Sequence, residues 1–219
     1  MIEIENNDVA VVLMAAGTST RYGRDKCLEY IDGSQSVLDY SYSVARRVSS
    51  HVLVAASGAT FDYCERQGYP CVLGGSSRSR SVLNALSALS DFSTILVHDS
   101  SRPLASVELY RRVIDKVGAG HDLVVPVLPV VDSMKIKTES GFVTIDRSDK
   151  YLVQTPQGLS RSASARLLEA QLEATDESGA AEALGINVAT VDGERLNVKI
   201  TYPDDILLVR ALLITTKVD

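Results

Sequence analysis

Short apolar strand patterns alternate with amphipathic helix patterns along most of the chain. Residues 9–14 form an unbroken apolar run rich in β-branched residues, which is typical of a strand covered on both faces. Shorter runs of the same kind occupy residues 52–54, 95–97 and 123–125. Strands and helices that alternate through short connections predict an α/β fold in three layers, with a mostly parallel sheet between two layers of helices.

Capping residues and apolar stripes place helices between these strands. Ser36 and Ser106 each precede apolar residues at helical spacing, so both predict a helix N-cap. A third apolar stripe occupies residues 82–89. Near the end of the chain, we expect a strand over residues 197–201 and a closing helix over residues 206–213.

The alternation breaks between residues 130 and 152. Two short extended segments, residues 134–137 and 142–145, surround Glu139-Ser140-Gly141, a pattern that predicts a β-hairpin projecting from the α/β body. No linker-like composition, repeat or low-complexity tract divides the chain. We therefore expect one domain over residues 1–219 that carries a β-arm at residues 130–152.

Charge and composition exclude several classes of protein. The chain has 22 Lys and Arg residues against 28 Asp and Glu residues, a net charge of −6, whereas proteins that bind nucleic acid or anionic membranes through charge show a basic excess. Its longest apolar runs are too short to cross about 30 Å of hydrocarbon. The acidic residues 1–8 do not resemble a signal peptide. The three cysteines lack CxxC spacing, so we expect a cytoplasmic protein with reduced thiols.

The loop after the first strand contains small residues followed by cations. Residues 15–19 allow backbone N–H groups to approach an anion closely, and Arg21, Arg24 and Lys26 follow. The loop matches neither the Walker A pattern nor GxGxxG, because Ser19 occupies the second glycine position of the latter. Either a phosphate cradle of another type or a surface loop with solvated cations fits this composition.

A second candidate loop begins at Gly74-Gly75 and leads into the helix at residues 82–89. Glycines and hydroxyls at a helix N-terminus favour an anion or nucleobase site, because the first N–H groups of the helix are free. A capped helix with Arg78 and Arg80 exposed to solvent fits equally well.

The third candidate loop follows the strand at residues 95–97. Asp99 lies at the carboxyl end of that strand, where it is placed to hold Mg²⁺, and Arg102 offers a planar fork for a phosphate. A Ser-His-Asp triad is not expected, because His98 and Asp99 are adjacent and no GxSxG elbow occurs. We expect His98 to be a structural, hydrogen-bonded residue.

Seven sequence elements, taken in order, resemble the 2-C-methyl-D-erythritol 4-phosphate cytidylyltransferase family. The resemblance extends over residues 9–213. The matching elements are Ala15-Ala16-Gly17 with Arg21 and Lys26, Gly74-Gly75 with Arg78 and Ser81, His98-Asp99 with Arg102-Pro103, Asp132-Ser133-Met134-Lys135, Gln154-Thr155-Pro156-Gln157, Thr175-Asp176-Glu177, and Asn197-Val198-Lys199-Ile200-Thr201.

The resemblance implies a Rossmann-like nucleotidyltransferase fold and a homodimer formed through the projecting arm. It also implies that CTP and a polyol phosphate react to give a CDP-polyol and pyrophosphate, with Mg²⁺ as the cofactor and CTP as the co-substrate. Such a reaction brings two anions together, so fixed cations and Mg²⁺ stabilise its transition state. It needs no general base, because the acceptor phosphate is already an anionic nucleophile.

The resemblance also implies roles for individual residues. The catalytic residues are Arg21, Lys26, Arg147 and Lys199. The CTP-binding residues are Ala15, Ala16, Gly17, Thr18, Ser19, Gly75, Ser76, Arg78 and Ser81. The acceptor-binding residues are Asp99, Arg102, Ser133, Arg147, Thr175 and Lys199, with Asp99 also beside the metal and with Ser133 and Arg147 reaching in from the partner subunit.

Three alternatives remain at this point. Ribitol-5-phosphate cytidylyltransferases share the fold and most of these motifs, and the acceptor depends on pocket shape. A nucleotide-binding protein without catalysis is favoured by two departures from the family pattern: Ser19 replaces the second glycine, and Asp25 is placed to offset the charge of Lys26. A nicotinamide dehydrogenase is disfavoured, because the first loop lacks the glycines that it needs.

Overall fold

Strands and helices alternate through most of residues 8–216, the part of the chain that the computed structural model describes. Residues 1–7, which entered the argument against a signal peptide, and residues 217–219 lie outside the described residues. The strands are β1 (Val9–Ala15), β2 (His51–Ala56), β3 (Cys71–Leu73), β4 (Thr94–Asp99), β5 (Leu123–Pro129), β6 (Met134–Thr138), β7 (Gly141–Ile145), β8 (Tyr151–Val153), β9 (Gln157–Ser160) and β10 (Val188–Asp192). The helices are α1 (Val37–Val48), α2 (Gly58–Gln67), α3 (Arg78–Ser87), α4 (Val107–Gly118), α5 (Arg161–Ala170), α6 (Glu177–Ala183) and α7 (Asp205–Thr216), with a short 3₁₀ helix at Lys26–Leu28.

Eight of the described strands form one mixed sheet. Seven follow the order β10-β5-β9-β4-β1-β2-β3, and the eighth, β8, pairs with the C-terminal half of β5. Strand β9 runs antiparallel to both of its neighbours, β4 and β5, and β8 runs antiparallel to β5. The other neighbouring strands of this sheet pair in parallel. The predicted mostly parallel sheet is therefore confirmed. The carboxyl ends of β1 and β4 lie side by side, because Met14 and Asp99 are register partners.

Side chains of β1 alternate between two hydrophobic cores. Val9, Val11 and Leu13 pack with buried residues of α1, α2 and α4 on one face of the sheet. Ala10 and Val12 pack with residues of α3, α5 and α6 on the other face. Helices thus cover both faces, which confirms the predicted three layers and explains why this strand is apolar at every position.

The predicted N-caps occur where the sequence places them. Ser36 accepts a hydrogen bond from Asp39 N at 3.2 Å in a capping box, and Ser106 accepts one from Leu109 N at 3.0 Å. Each bond satisfies a backbone donor that the first turn of a helix leaves free. Within residues 8–216, no helix combines the length and the apolar character that crossing a membrane requires.

The predicted hairpin is present as β6 and β7, which pair with each other as a separate two-stranded antiparallel sheet. Three large apolar side chains on it are exposed by about half or more: Ile136 at 49%, Phe142 at 68% and Val143 at 49%. The chain returns to the main sheet at β8, where Tyr151 pairs with Pro129.

The strand predicted over residues 197–201 was wrong. Residues 197–201 belong to none of the described strands, and Ile200 N donates instead to Ser101 O at 2.8 Å. The Asn197 side chain, fully buried, donates to Thr155 O at 2.9 Å. The backbone of this segment therefore bonds to a loop instead of a neighbouring strand, and Ile200 packs in an apolar cluster with residues of α1 and α7.

Candidate active site

The carboxyl ends of β1 and β4 and the N-terminus of α3 surround one cavity of about 330 Å³. Ligands of parallel α/β sheets bind at this edge, where the loops after the strands converge. Ten of the predicted site residues line the cavity: Ala16, Gly17, Thr18, Lys26, Gly75, Ser76, Arg78, Ser81, Asp99 and Lys199. The lining also includes Met14, Cys27, Ser77 and Ser101, which the sequence analysis did not single out.

The other predicted residues lie elsewhere. Ala15 is the buried last residue of β1, and Ser19 lies in the turn beyond the lining residues. The Arg21 guanidinium is exposed and lies 5.9 Å above the ring of Tyr202. Three predicted acceptor contacts are exposed side chains that do not line the cavity, namely Ser133, Arg147 and Thr175.

The first loop turns at Ser19, whose φ of +51° lies in the left-handed region that favours glycine. Its carbonyl accepts hydrogen bonds from Tyr22 N at 2.9 Å and Gly23 N at 3.0 Å, and its hydroxyl accepts one from Lys26 N at 3.4 Å. The loop therefore keeps a closed turn without glycine at this position.

The second loop packs directly on the first. A Cβ at Gly74 would approach the Cβ of Ala16 to 2.3 Å, so only glycine fits there. The Ser81 hydroxyl closes the loop, since it accepts from Gly75 N at 2.9 Å and donates to Ser77 O at 2.9 Å. The N-terminus of α3, capped by Ser77, consequently lies at the cavity and offers N–H groups to an anion.

Asp99 is the buried carboxylate at the base of the cavity. Its Oδ2 lies 2.6 Å from Lys199 Nζ, and its Oδ1 lies 3.4 Å from a terminal nitrogen of Arg78. Burial would raise the pKa of Asp99, but the Lys199 and Arg78 cations hold it well below its usual range. Asp99 is therefore an anion at neutral pH, and it orients both cations.

Glu177 extends this set, and the sequence analysis gave it no role. The Arg78 guanidinium lies 2.6 Å from Glu177 Oε1 and donates to Oε2 at 3.1 Å, and only 3% of the Glu177 side chain is exposed. Burial raises the pKa of Glu177, while Arg78 acts in the opposite direction. The sequence signal that could have found Glu177 is Asp176, an N-cap residue that predicts the start of α6 and places Glu177 in its first turn.

Lys26 lies in the cavity on the side of the first loop. Burial lowers the pKa of Lys26, and the nearby Lys199 and Arg21 cations add to the decrease, whereas Asp99 opposes it. The Asp25 carboxylate accepts hydrogen bonds from Cys27 N at 3.0 Å and from Thr60 Oγ1. Asp25 is thus engaged on α2 and on the short 3₁₀ helix.

His98 and Thr155 fix the loop that carries Asp99. Thr155 Oγ1 accepts from Asp99 N at 3.0 Å and lies 3.1 Å from His98 Nδ1, while His98 Nε2 lies 3.2 Å from Arg102 O. Burial lowers the pKa of His98 to about 4, so the ring is neutral, donating from Nε2 and accepting at Nδ1. These contacts agree with the structural role expected of His98, and they add Thr155, which was missed.

Arg102, the remaining predicted acceptor contact, does not line the cavity. One terminal nitrogen donates to Asn197 O at 2.8 Å, and the Nε atom is buried without a hydrogen-bond partner among the described residues. Burial lowers the pKa of Arg102. Asn197, which accepts this bond, lies two residues before Lys199, whose Nζ atom pairs with Asp99.

The number of carboxylates in the cavity determines how Mg²⁺ fits there. Among residues 8–216, no group of three or more His, Cys, Asp or Glu side chains is placed to hold a metal ion. Asp99 supplies one carboxylate to the cavity lining. Mg²⁺ in proteins is often held by one or two carboxylates together with substrate phosphates and water. The residues therefore fit an ion held jointly by Asp99 and a bound triphosphate.

Comparison with known proteins gives one consistent result. The family model described as 2-C-methyl-D-erythritol 4-phosphate cytidylyltransferase matches residues 9–215. The curated protein of that name from Frankia casuarinae is 36% identical over 94% of this chain and 81% of its own length. Its namesake from Neisseria gonorrhoeae is 33% identical over 92% of this chain and 96% of its own length.

A solved structure agrees with these sequence matches. The crystal structure of 2-C-methyl-D-erythritol 4-phosphate cytidylyltransferase from Thermus thermophilus superposes with a TM-score of 0.77 at 32% identity, over 92% of this chain and 97% of that chain. The resemblance drawn from seven short elements is thereby confirmed, as is the predicted nucleotidyltransferase fold. The chain belongs to the 2-C-methyl-D-erythritol 4-phosphate cytidylyltransferase family.

Proposed function

We propose that the chain transfers CMP from CTP to 2-C-methyl-D-erythritol 4-phosphate and releases pyrophosphate, a step of isoprenoid synthesis. The observation that carries this proposal is the convergence of Lys26, Arg78, Asp99 and Lys199 on one cavity from four distant parts of the sequence. Three cations around one carboxylate suit a reaction in which two phosphate groups are brought together.

CTP binds between the first and second loops. The backbone of Ala16, Gly17 and Thr18 and the α3 N-terminus at Gly75 and Ser76 face the same cavity, so their N–H groups hold the triphosphate and the base. Ala15, Ser19 and Ser81 act by shaping these loops, since Ser19 sets the turn and the Ser81 hydroxyl is committed to Gly75 and Ser77. Mg²⁺ at Asp99, when bound, neutralises part of the triphosphate charge.

The reaction is an in-line substitution at the α-phosphorus of CTP. An oxygen of the acceptor phosphate forms the new bond to phosphorus, and the bond to the pyrophosphate oxygen breaks. Lys26 and Arg21 stabilise the charge that accumulates on the α-phosphate and on the leaving pyrophosphate. Although burial lowers the pKa of Lys26, an ordinary lysine pKa of about 10.4 leaves room for the ammonium to persist at neutral pH.

The acceptor binds between Lys199 and the third loop. Arg102 suits its phosphate, because the buried Nε atom lacks a partner that a phosphate oxygen supplies. Ser133 and Arg147 lie on the exposed arm, so we assign them to the acceptor site of a partner subunit in a homodimer joined through the arm. Thr175, exposed next to the N-cap of α6, is the remaining proposed acceptor contact.

The proposed location is the cytoplasm. The free thiols of Cys27, Cys64 and Cys71 support a reducing compartment, since proteins of oxidising compartments usually pair their cysteines.

The test is pyrophosphate release by the purified chain with CTP, Mg²⁺ and a polyol phosphate. We expect a higher kcat/KM for 2-C-methyl-D-erythritol 4-phosphate than for ribitol 5-phosphate, and a faster rate with ribitol 5-phosphate would overturn the choice of acceptor. Lys26→Ala should lower kcat by about 100-fold or more. Lys116→Ala, on α4 outside the cavity lining, is the matched control and should leave the rate unchanged.

A further inference from the structure

Asp25 and Thr60 form a contact that the proposed reaction does not use directly. The Asp25 Oδ1 atom accepts a hydrogen bond from Cys27 N at 3.0 Å, and Oδ2 accepts one from Thr60 Oγ1. Thr60 lies in α2 and has no exposed surface. The carboxylate therefore ties the end of the first loop to a helix that packs on the sheet.

Lys26 is the residue that this contact affects most. It directly follows Asp25 and opens the short 3₁₀ helix, for which Asp25 is the N-cap. Its side chain is partly buried in the lining of the cavity. A long, flexible side chain loses much conformational freedom when it is held in one place. A fixed backbone at its base limits the positions that the ammonium can reach.

The other side of the 3₁₀ helix is anchored as well. The buried Cys27 Sγ lies 3.3 Å from Ser100 Oγ, which in turn donates to Met14 O at 2.6 Å. Ser100 directly follows Asp99, so this anchor ties the short helix to the loop that carries the carboxylate of the cavity. Lys26 is thus held between α2 on one side and the end of β4 on the other.

The same contact controls where the charge of Asp25 lies. With Oδ1 on Cys27 N and Oδ2 on Thr60 Oγ1, the carboxylate is directed to α2. Without the Thr60 hydroxyl, a carboxylate adjacent in sequence to Lys26 is released at the edge of a partly buried site, where opposite charges attract more strongly than in bulk water.

We propose that Asp25 and Thr60 form a clamp that positions Lys26 in the cavity and keeps the Asp25 carboxylate from pairing with its ammonium. Both are positioning residues, because they act through Lys26 and not on the substrate. The proposal rests on the proposed function, since it takes Lys26 as the cation that stabilises the transferring phosphate.

Thr60→Val tests the clamp by removing the hydroxyl and keeping the branched shape. We expect kcat to fall about tenfold while the KM for CTP changes less than about twofold, because misplacing a group that acts in the transition state lowers kcat. Thr60→Ser keeps the hydroxyl donor, and Asp25→Asn keeps one oxygen for Cys27 N while its amide nitrogen can donate to Thr60 Oγ1, so both variants should retain at least about half of kcat. Combining Thr60→Val with Asp25→Ala should lower kcat no further than Asp25→Ala alone, because both remove one contact.

A control variant removes an equivalent contact far from the cavity. Asp122 accepts from Ser160 Oγ at 2.7 Å just before β5, at the opposite edge of the sheet, and Asp122→Ala should leave kcat and KM unchanged. A loss of kcat in Asp122→Ala equal to that in Thr60→Val would show that the clamp has no special role, and so would a wild-type kcat in Thr60→Val.

A second measurement does not depend on turnover. Acetic anhydride labelling of Lys26, followed by mass spectrometry, should accelerate at least about threefold in Thr60→Val, because the amine leaves its partly buried position. Unchanged labelling would overturn the clamp even if kcat fell. A Lys26→Ala variant as active as the wild type would instead overturn the catalytic role of Lys26, while the labelling result still decides whether Asp25 and Thr60 position this side chain.

Discussion

The cavity and the arm both carry residues assigned to one reaction, but they are held in opposite ways. In the cavity, Lys199, Asp99, Arg78 and Glu177 form a continuous chain of ion pairs whose two carboxylates are buried. On the arm, Arg147 is exposed, and its guanidinium donates to the backbone carbonyl of Val131.

This difference teaches where the site is complete and where it is not. The cavity cations are held in place by carboxylates of the same chain, and fixed cations of this kind suit the proposed reaction. The arm is a two-stranded hairpin with exposed Ile136, Phe142 and Val143, and such a hairpin is marginally stable in water unless its apolar face packs on another surface. A second copy of the chain is the surface that our proposed homodimer supplies.

Lys199→Ala is the substitution with the largest expected effect on the cavity. It removes a cation of the proposed acceptor site and leaves Asp99 with Arg78 as its remaining close ionic partner, so we expect kcat/KM to fall by about 10²–10³-fold. Steady-state pyrophosphate release measures it. Lys150→Ala, a partly exposed lysine after the arm strands that pairs with Asp149, is the control. Equal losses in the two variants would erase the contrast between cavity and arm.

Glu177→Ala should mainly affect stability. It leaves the Arg78 guanidinium without its bidentate partner, and removing one partner of a buried pair costs about 3 kcal/mol of the free energy of unfolding. We take the lower end of the usual range because 28% of the Arg78 side chain is exposed. Urea denaturation at pH 7 measures the change.

The matched variant for stability is on the arm. Arg147→Ala removes an exposed guanidinium, so it should change the free energy of unfolding by less than about 0.5 kcal/mol. A destabilisation comparable with that of Glu177→Ala would mean that the arm residue is held as firmly as the cavity residues.

The same contrast explains what the sequence alone could predict. Strands β1, β2, β4 and β5 and the N-caps Ser36 and Ser106 follow from local patterns, and each local pattern reflects burial on the sheet. The antiparallel strand β9 between β4 and β5 depends on pairings far apart in sequence, which no local periodicity records. Residues 197–201 alternate polar and apolar residues as a strand does, but the Asn197 side chain bonds to Thr155 O and Ile200 N bonds to Ser101 O, and the sequence pattern does not record these distant partners.

The site was predictable where loops follow strands. The first, second and third loops lie at the carboxyl ends of parallel strands, so position identified them as candidate loops, while the roles of their residues came from the family resemblance. Glu177 and Thr155 were missed because their roles come from contacts with Arg78 and Asp99, which lie far from them in sequence. The proposed role of Arg147 differs from these cases, because it needs the surface of a second subunit, which one chain does not contain.

Mixing two inactive or impaired variants tests the proposed role of the arm in the partner subunit. In a homodimer of Lys26→Ala with Arg147→Ala, one of the two sites receives an intact Lys26 and an intact partner arm. Random mixing should therefore restore about a quarter of the wild-type activity per chain, since about half of the dimers are mixed and each has one intact site. Pyrophosphate release before and after subunit exchange measures it. No gain on mixing would place Arg147 outside the site of the partner.

The smallest expected effect concerns the pH dependence of turnover, which tests whether Lys26 is buried in the cavity. Burial lowers the pKa of Lys26, and the proposed mechanism uses its charged form, so kcat/KM should fall with rising pH at an apparent pKa below about 10.4, the value of an exposed lysine. The contribution of Lys26 to stability has the opposite sign. Between the folded pKa and about 10.4, the unfolded chain binds more protons at this site, so this contribution rises with pH while activity declines.

The variant Lys26→Arg distinguishes the titration of Lys26 from that of other groups that lower kcat/KM at high pH. A guanidinium stays charged to pH values above about 12. The residual kcat/KM of the variant should therefore show no decline at high pH. If the decline in kcat/KM at high pH persisted in Lys26→Arg, Lys26 would not be the group that titrates, and if it occurred at the pKa of an exposed lysine, burial would not lower the pKa of Lys26. The cavity would then hold its cations no more firmly than the arm holds Arg147, and the contrast between the two regions would rest on the carboxylates Asp99 and Glu177 alone.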